Sequence, residues 1–276
     1  MPSMAGEDVK EERTISVGSP ITTVCLHPTT PHLVLVAATQ TPLSVYNVAS
    51  ESTGAAYSLE VEEPKGMWTA GWSNAGNSIA AVGRSGKGYV FDPRKSTKPR
   101  TTKTLPIQPL EPVGLVWVAD KIFITGWDQS RNRLYALINP SDLSTVFTQN
   151  LDTNLSPLLP IVDEERKIVY IAGRGDMELR QVELGGVTGF QETVHPLPYA
   201  LASTSLAAVH PTILDVMQAE IGRVLIPVVD KDGDAILPVE IKVPQRQSID
   251  YHEDLYPDIM GSSEYSCSNP RRKLII

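Results

Sequence analysis

Cysteine is nearly missing from this chain: two residues in 276, Cys25 and Cys267, far apart in sequence. Cys25 sits inside a strand-forming run and reads as a small core residue rather than half of a disulfide, which suits a reducing, cytoplasmic setting. No apolar run approaches the roughly 20 residues that a membrane-spanning helix needs. A basic start followed by an apolar stretch, the mark of a signal peptide, is also lacking. Long helical patterns are almost absent, and that excludes a helical solenoid. Excess positive charge is missing too: the net charge is −8, against the basic balance expected of a nucleic-acid binder. With 41% hydrophobic and 20% charged residues, the chain can still bury a core.

What is present is a repeated β unit, clearest between Gln149 and Leu184. Three short runs follow one another there, from Ser156, from Lys167 and from Met177, parted by charged or glycine-containing turns at Asp163–Arg166 and Arg174–Asp176. The second run, Ile168-Val-Tyr-Ile-Ala-Gly, is apolar throughout and predicts a strand buried on both faces. The third alternates, as a half-buried strand does. Such a unit cannot cover its own apolar faces, so it requires copies of itself alongside.

Copies are there. Runs from Ile21, His32 and Pro42 form one set; runs from Met67, Ser78 and Gly88 a second; runs from Pro112, Lys121 and Arg133 a third. Matched first-strand ends fall at Leu26, Trp72, Trp117 and Ile161, successive steps of 46, 45 and 44 residues. Several short strands repeating every 40–45 residues or so predict an all-β fold, a WD40-type β-propeller. The outer fourth strand is the weakest of each set, as at Ser58, Thr102 and Thr145. The Trp-Asp pair that names the repeat is replaced by Tyr46-Asn47, Phe91-Asp92, Ile138-Asn139 and Val182-Glu183, which keep an apolar contact followed by a polar turn. The expected order is a disordered leader over 1–14, blades at about 15–60, 61–104, 105–150, 151–190 and 191–243, an extension over 244–260 packing on the propeller, and a disordered tail over 261–276.

Motifs with chemical promise read better as plain turns. Gly83-Arg-Ser-Gly-Lys-Gly88 lacks the glycine spacing, the hydroxyl residue and the following helix of a phosphate loop. Asp230-Lys-Asp-Gly-Asp234 has its glycine too early for a calcium loop and no closing glutamate. Asn154-Leu-Ser156 fits a glycosylation pattern that carries no weight in a reducing compartment. The five histidines, at 27, 32, 195, 210 and 252, show no ligand spacing. No serine stands in a G-x-S-x-G setting. The sequence therefore predicts no enzyme, no cofactor and no metal. Its most distinctive surface feature is cationic: Arg94, Lys95, Lys98, Arg100 and Lys103, within an acidic chain. That cluster reads either as a solvated loop or as a contact for an acidic partner.

Five blocks of residues resemble the coronins, a family of actin-binding propeller proteins. They are Phe91-Asp-Pro-Arg-Lys95, Lys121-Ile-Phe-Ile-Thr-Gly126, the stretch through Ile168 to Asp176, Leu214-Asp-Val-Met-Gln-Ala-Glu-Ile-Gly-Arg223, and Val243-Pro-Gln-Arg246 with Glu253-Asp-Leu-Tyr-Pro257. The resemblance spans about residues 18–258 and implies part of a seven-bladed ring, from the third blade to the last. It departs from the family in lacking the N-terminal blades, the strand that clasps the last blade, and the C-terminal coiled coil that serves oligomerisation and Arp2/3 complex contact. It implies F-actin as a partner through basic propeller surface, a place on the cytoplasmic actin cytoskeleton, and no nucleic acid or membrane-spanning role. The tail-less branch of the family suggests an alternative, a propeller scaffold for protein partners in intracellular trafficking. A fragment without a stable fold is the third reading.

Overall fold

A strand such as Ile168–Gly173 has no polar face, so its sheet must be covered on both sides, and the architecture follows from that demand. The computed structural model describes residues 14–108, 111–185, 189–202, 205–230 and 233–243. They form five antiparallel sheets, each built from strands consecutive in the chain. The first holds β1 (Ile21–Leu26), β2 (Leu33–Ala38), β3 (Ser44–Asn47) and β4 (Tyr57–Ser58). The second holds β5 (Met67–Trp72), β6 (Ile79–Gly83), β7 (Lys87–Phe91) and β8 (Thr101–Thr104). The third comprises β9 (Gly114–Val118), β10 (Lys121–Trp127), β11 (Arg133–Ile138) and β12 (Thr145–Asn150). The fourth comprises β13 (Leu158–Asp163), β14 (Ile168–Gly173), β15 (Glu178–Leu184) and β16 (Phe190–Pro196). The fifth has three strands, β17 (Ala207–Ala208), β18 (Glu220–Asp230) and β19 (Gly233–Lys242).

The five sheets are the blades of a propeller, and the inner strands β1, β5, β9, β13 and β17 lie side by side in that order. Four apolar clusters fill the four junctions. Leu35, Val45, Trp72 and Phe91 join the first blade to the second, and Val82, Val90, Trp117 and Ile138 join the second to the third. Phe123, Tyr135, Val169 and Val182 join the third to the fourth, and Tyr170, Leu179, Val224 and Ile226 the fourth to the fifth. Each such side chain contributes about 1.5–3 kcal/mol through burial, so every junction is a core in its own right. Polar atoms inside the junctions find partners across them. The Trp117 indole N–H donates to the Gly71 carbonyl (3.2 Å), and Thr125 Oγ1 donates to the Leu158 carbonyl (2.7 Å).

Two segments lie outside the sets of runs matched in the sequence. Phe190–Pro196 is the regular outer strand β16, which pairs with β15 through to Pro196. Between β17 and β18 the chain makes a pair of 3-10 turns, Pro211–Ile213 and Val216–Gln218, capped by the side chains of His210 and Asp215. The leader expected over residues 1–14 (all but Thr14), the extension over 244–260 and the tail lie outside the described residues, as do Lys231 and Asp232 of the 230–234 turn.

Candidate protein-interaction site

The cationic cluster is built on the end of β7. Phe91 is fully buried in the junction with the first blade, and Asp92, the next residue, turns the chain outward. Its carbonyl accepts from the Lys95 and Ser96 N–H groups (3.0 and 3.2 Å), closing a tight turn. Its carboxylate faces Lys95 Nζ at 3.2 Å and Arg94 Nε at 3.6 Å. Burial opposes ionisation of Asp92, but the Lys95 ammonium and the neighbouring Arg94 outweigh it and hold the carboxyl below its usual range. Both cations stay solvent-exposed, so these pairs orient the side chains more than they stabilise the fold.

The rest of the loop is tied to both neighbouring blades. Glu60, just after β4, exchanges two bonds with Thr97: its N–H donates to the Thr97 carbonyl (2.8 Å) and its carboxylate accepts from Thr97 Oγ1 (2.6 Å). On the other side, Arg100 Nη2 donates to the Pro140 carbonyl (3.4 Å) and Thr101 Oγ1 to the Ser141 carbonyl (3.1 Å). Arg94, Lys95, Lys98 and Arg100 are therefore gathered on one exposed loop held at three points. Lys103 is set apart from them. It lies on β8 opposite Gly88, on the same face as Thr101, where its charge helps the Ser144 N–H hold Asp142 below the ordinary carboxylate range. The cluster thus comprises four cations on the loop and a fifth displaced along the outer strand.

The motifs weighed for chemistry turn out to be committed elsewhere. In the Gly83–Gly88 turn, Arg84 lies over the Trp68 ring at 4.0 Å and Ser85 Oγ donates to Glu63. Those groups are not aimed at a phosphate. His27 packs edge-on against Trp72 (4.5 Å between centroids) and bonds the Gly76 carbonyl at 3.0 Å, while its Nδ1 accepts from the Thr30 N–H at 3.0 Å. It therefore latches the first blade to the β5–β6 turn. Gly76 has φ +67, and a side chain there would strike the His27 ring, so the turn requires glycine. Among the described residues no group of three His, Cys, Asp or Glu side chains is placed to hold a metal ion. No helix among them is long and apolar enough to cross a membrane.

Sequence reasoning missed one constellation. Arg133, at the start of β11, is 3% exposed and grips two carboxylates from the neighbouring segments. Nε and Nη2 donate to Asp152 (both 2.6 Å), and Nη1 and Nη2 donate to Asp176 (3.0 and 3.1 Å). Asp176 also accepts from the Gly173 N–H (2.7 Å) and from Asn154 Nδ2 (3.0 Å). The only sign in the sequence was the Gly-Asp pair closing the β14–β15 turn, and nothing pointed from there to an arginine 43 residues earlier.

Five radially stacked antiparallel blades joined in series define a WD40-type β-propeller. The chain resembles the WD40 domain of Toxoplasma gondii coronin, with a TM-score of 0.74 and 21% identity, over 86% of this chain and 60% of that one. A propeller in the mitotic checkpoint complex shares the fold more loosely, with a TM-score of 0.57 at 13% identity. No family model matches. Among curated proteins, Coronin-7 of Mus musculus is 28% identical over 250 residues, 88% of this chain and 26% of its own length. Coronin-7 of Bos taurus is 30% identical over 199 residues, 70% of this chain and 21% of its own length. The chain spans about a quarter of the length of these relatives. It is a WD40-type propeller whose sequence is coronin-like over most of its length.

Proposed function

We propose that this chain is a non-catalytic, actin-filament-binding propeller that acts in organising the actin cytoskeleton in the cytoplasm. The observation that carries the reading is the β7–β8 loop: Arg94, Lys95, Lys98 and Arg100 exposed together on a chain of net charge −8, and held in place by Glu60, Pro140 and Ser141. A cationic patch of this kind steers association with an acidic filament surface and weakens with salt, over a screening length of about 8 Å at physiological ionic strength. Lys103 extends the same surface along β8.

Filament co-sedimentation of the size-exclusion-purified chain, across a salt series, tests the proposal. The wild type pellets with filaments at low salt and is released at high salt. A Lys95→Ala, Lys98→Ala, Arg100→Ala triple variant stays in the supernatant while its unfolding temperature is unchanged. A folded wild type that remains in the supernatant at every salt concentration refutes actin binding. Salt-insensitive binding to other proteins would instead favour the trafficking scaffold.

A further inference from the structure

Three exposed apolar residues stand on segments that meet at the β14–β15 turn: Leu155 (79% exposed), Met177 (52%) and Tyr199 (39%). They come from three different segments, and all three segments are pinned to Asp176. Leu155 follows Asn154, whose Nδ2 donates to the Asp176 carboxylate, and precedes Ser156, whose N–H is held by Asn154 Oδ1 (3.0 Å). Met177 is the residue after Asp176, and its carbonyl accepts from the Leu197 N–H (2.8 Å). Tyr199 rides the loop between Leu197 and Leu201, and the Leu201 N–H closes that loop onto the Asp176 carbonyl (3.0 Å). The buried Arg133 fixes Asp176 itself.

Large apolar side chains in water are unfavourable, and nothing in the packing of the blades calls for these three outside the core. They stand on a backbone already ordered by hydrogen bonds, so a ligand would not have to meet the entropic cost of ordering it. Exposed apolar anchors on a preordered backbone characterise the energetic centre of an interface. The charged rim narrows the choice of ligand. Arg174, beside the cluster in the β14–β15 turn, and Arg131, in the adjacent β10–β11 turn, are exposed and belong to no ion pair among the described residues. The carboxylates of these turns are engaged elsewhere: Asp152, Asp176 and Glu178 with Arg133 and Arg180, and Asp128 with the Asn132 and Asn150 amides.

We propose that Leu155, Met177 and Tyr199, rimmed by Arg131 and Arg174, form a docking site for a short acidic–apolar segment of a partner protein. A bulky apolar side chain of the segment seats among the three, and its carboxylates meet the two guanidiniums. The site is independent of the β7–β8 loop, and its test does not depend on actin binding.

Panning the full-length chain with a phage-displayed library of short random peptides tests it. Enriched peptides should place Asp or Glu next to Leu, Phe or Trp. Synthetic copies should lose about tenfold or more in affinity, by fluorescence anisotropy, against either Leu155→Asp or Arg174→Glu, in line with the loss of one interface anchor. Both positions are exposed, so the unfolding temperature should not move. Failure to enrich any peptide, or peptides that bind both variants as they bind the wild type, overturns the proposal. So does a photo-crosslinker at position 155 that captures residues 244–276 of the same chain, or a second copy, in place of the peptide.

Discussion

Replacing Arg133 with Met should be the most damaging conservative change in the third blade. The methionine fills most of the volume but removes every hydrogen bond the guanidinium makes to Asp152 and Asp176, together with its 3.4 Å contact to the Ser156 carbonyl. Asp152 is 43% exposed and can return to water, whereas Asp176, at 12%, is left with only the Gly173 N–H and Asn154. Stranding one member of a buried ion pair costs about 3–5 kcal/mol. For a chain of this size each kcal/mol is worth about 2–4 °C in unfolding temperature, so a drop of about 10 °C is expected at pH 7. Urea denaturation and thermal scans report both quantities. The acid limb gives a second readout. The hydrogen bond from Arg133 is the main cause of the lowered Asp152 pKa, so its contribution is present above the unfolded carboxylate range and is lost as pH falls through the folded value. Wild-type stability should therefore fall more steeply below about pH 4 than that of the variant. A loss under about 1 kcal/mol at pH 7, with parallel acid limbs, would show that the clamp is no more than a surface salt bridge.

Two further expectations concern Gly222 and the buried tyrosines. A methyl group at Gly222 would fall inside contact distance of Tyr170 Oη, a buried hydroxyl with no hydrogen-bond partner among the described residues. Gly222→Ala should cost about 1–3 kcal/mol, Tyr170→Phe should be neutral or better, and the double variant should recover most of the loss in urea denaturation. Burial raises the pKa of Tyr89 from 10.0 to about 12, with Glu63 adding to the effect, and burial also raises those of Tyr135 and Tyr170. Their contribution is complete below about pH 10 and is lost as pH rises through the folded values, so tyrosinate absorbance should rise together with loss of circular dichroism rather than ahead of it. Separate transitions for the two signals would contradict this.

The fold was legible because propeller physics is written in local patterns. Ile168–Gly173 announces a strand buried on both faces, and the steps from Leu26 to Trp72, Trp117 and Ile161 announce that its neighbours are copies. β16 was obscured by its own role: an outer strand buries little, and Thr193, Val194 and Pro196 are exposed. The cationic loop could be read as a run of charges, but not its division, because the turn at Asp92 and the face on which Lys103 stands depend on register. Of the Asp176 hub only the Gly-Asp pair closing the β14–β15 turn could be read. Leu155, Met177 and Tyr199 are 22 residues apart along the chain at each step, and only hydrogen bonds around Asp176 join the segments that carry them.

The end blades show how far the repeat logic reaches. Inner strands pair off in series, yet among the described residues no comparable approach brings β17 back to β1. Val24 and Leu26 on β1, and Val229 and Ile236 on the β18–β19 hairpin, are all more than half exposed on faces that the inner blades bury. In a stack stabilised by nearest-neighbour junctions, such faces mark the units that open first. The outer edge of β19, unpaired among the described residues, also has a readable polarity. Backbone bonds from Ala202 and Val209 go to the carbonyls of Pro227 and Arg223, so alternate residues of β18 face β17, and Val224, Ile226 and Val228 face β19 through Val239, Leu237 and Ala235. Ile236, Pro238 and Glu240 therefore turn their main-chain groups outward, and the one N–H that proline removes lies in the middle of that edge. A proline at that position interrupts the row of donors another chain would need for indiscriminate strand pairing. Any strand that does add there must leave one carbonyl opposite Pro238 without its bond.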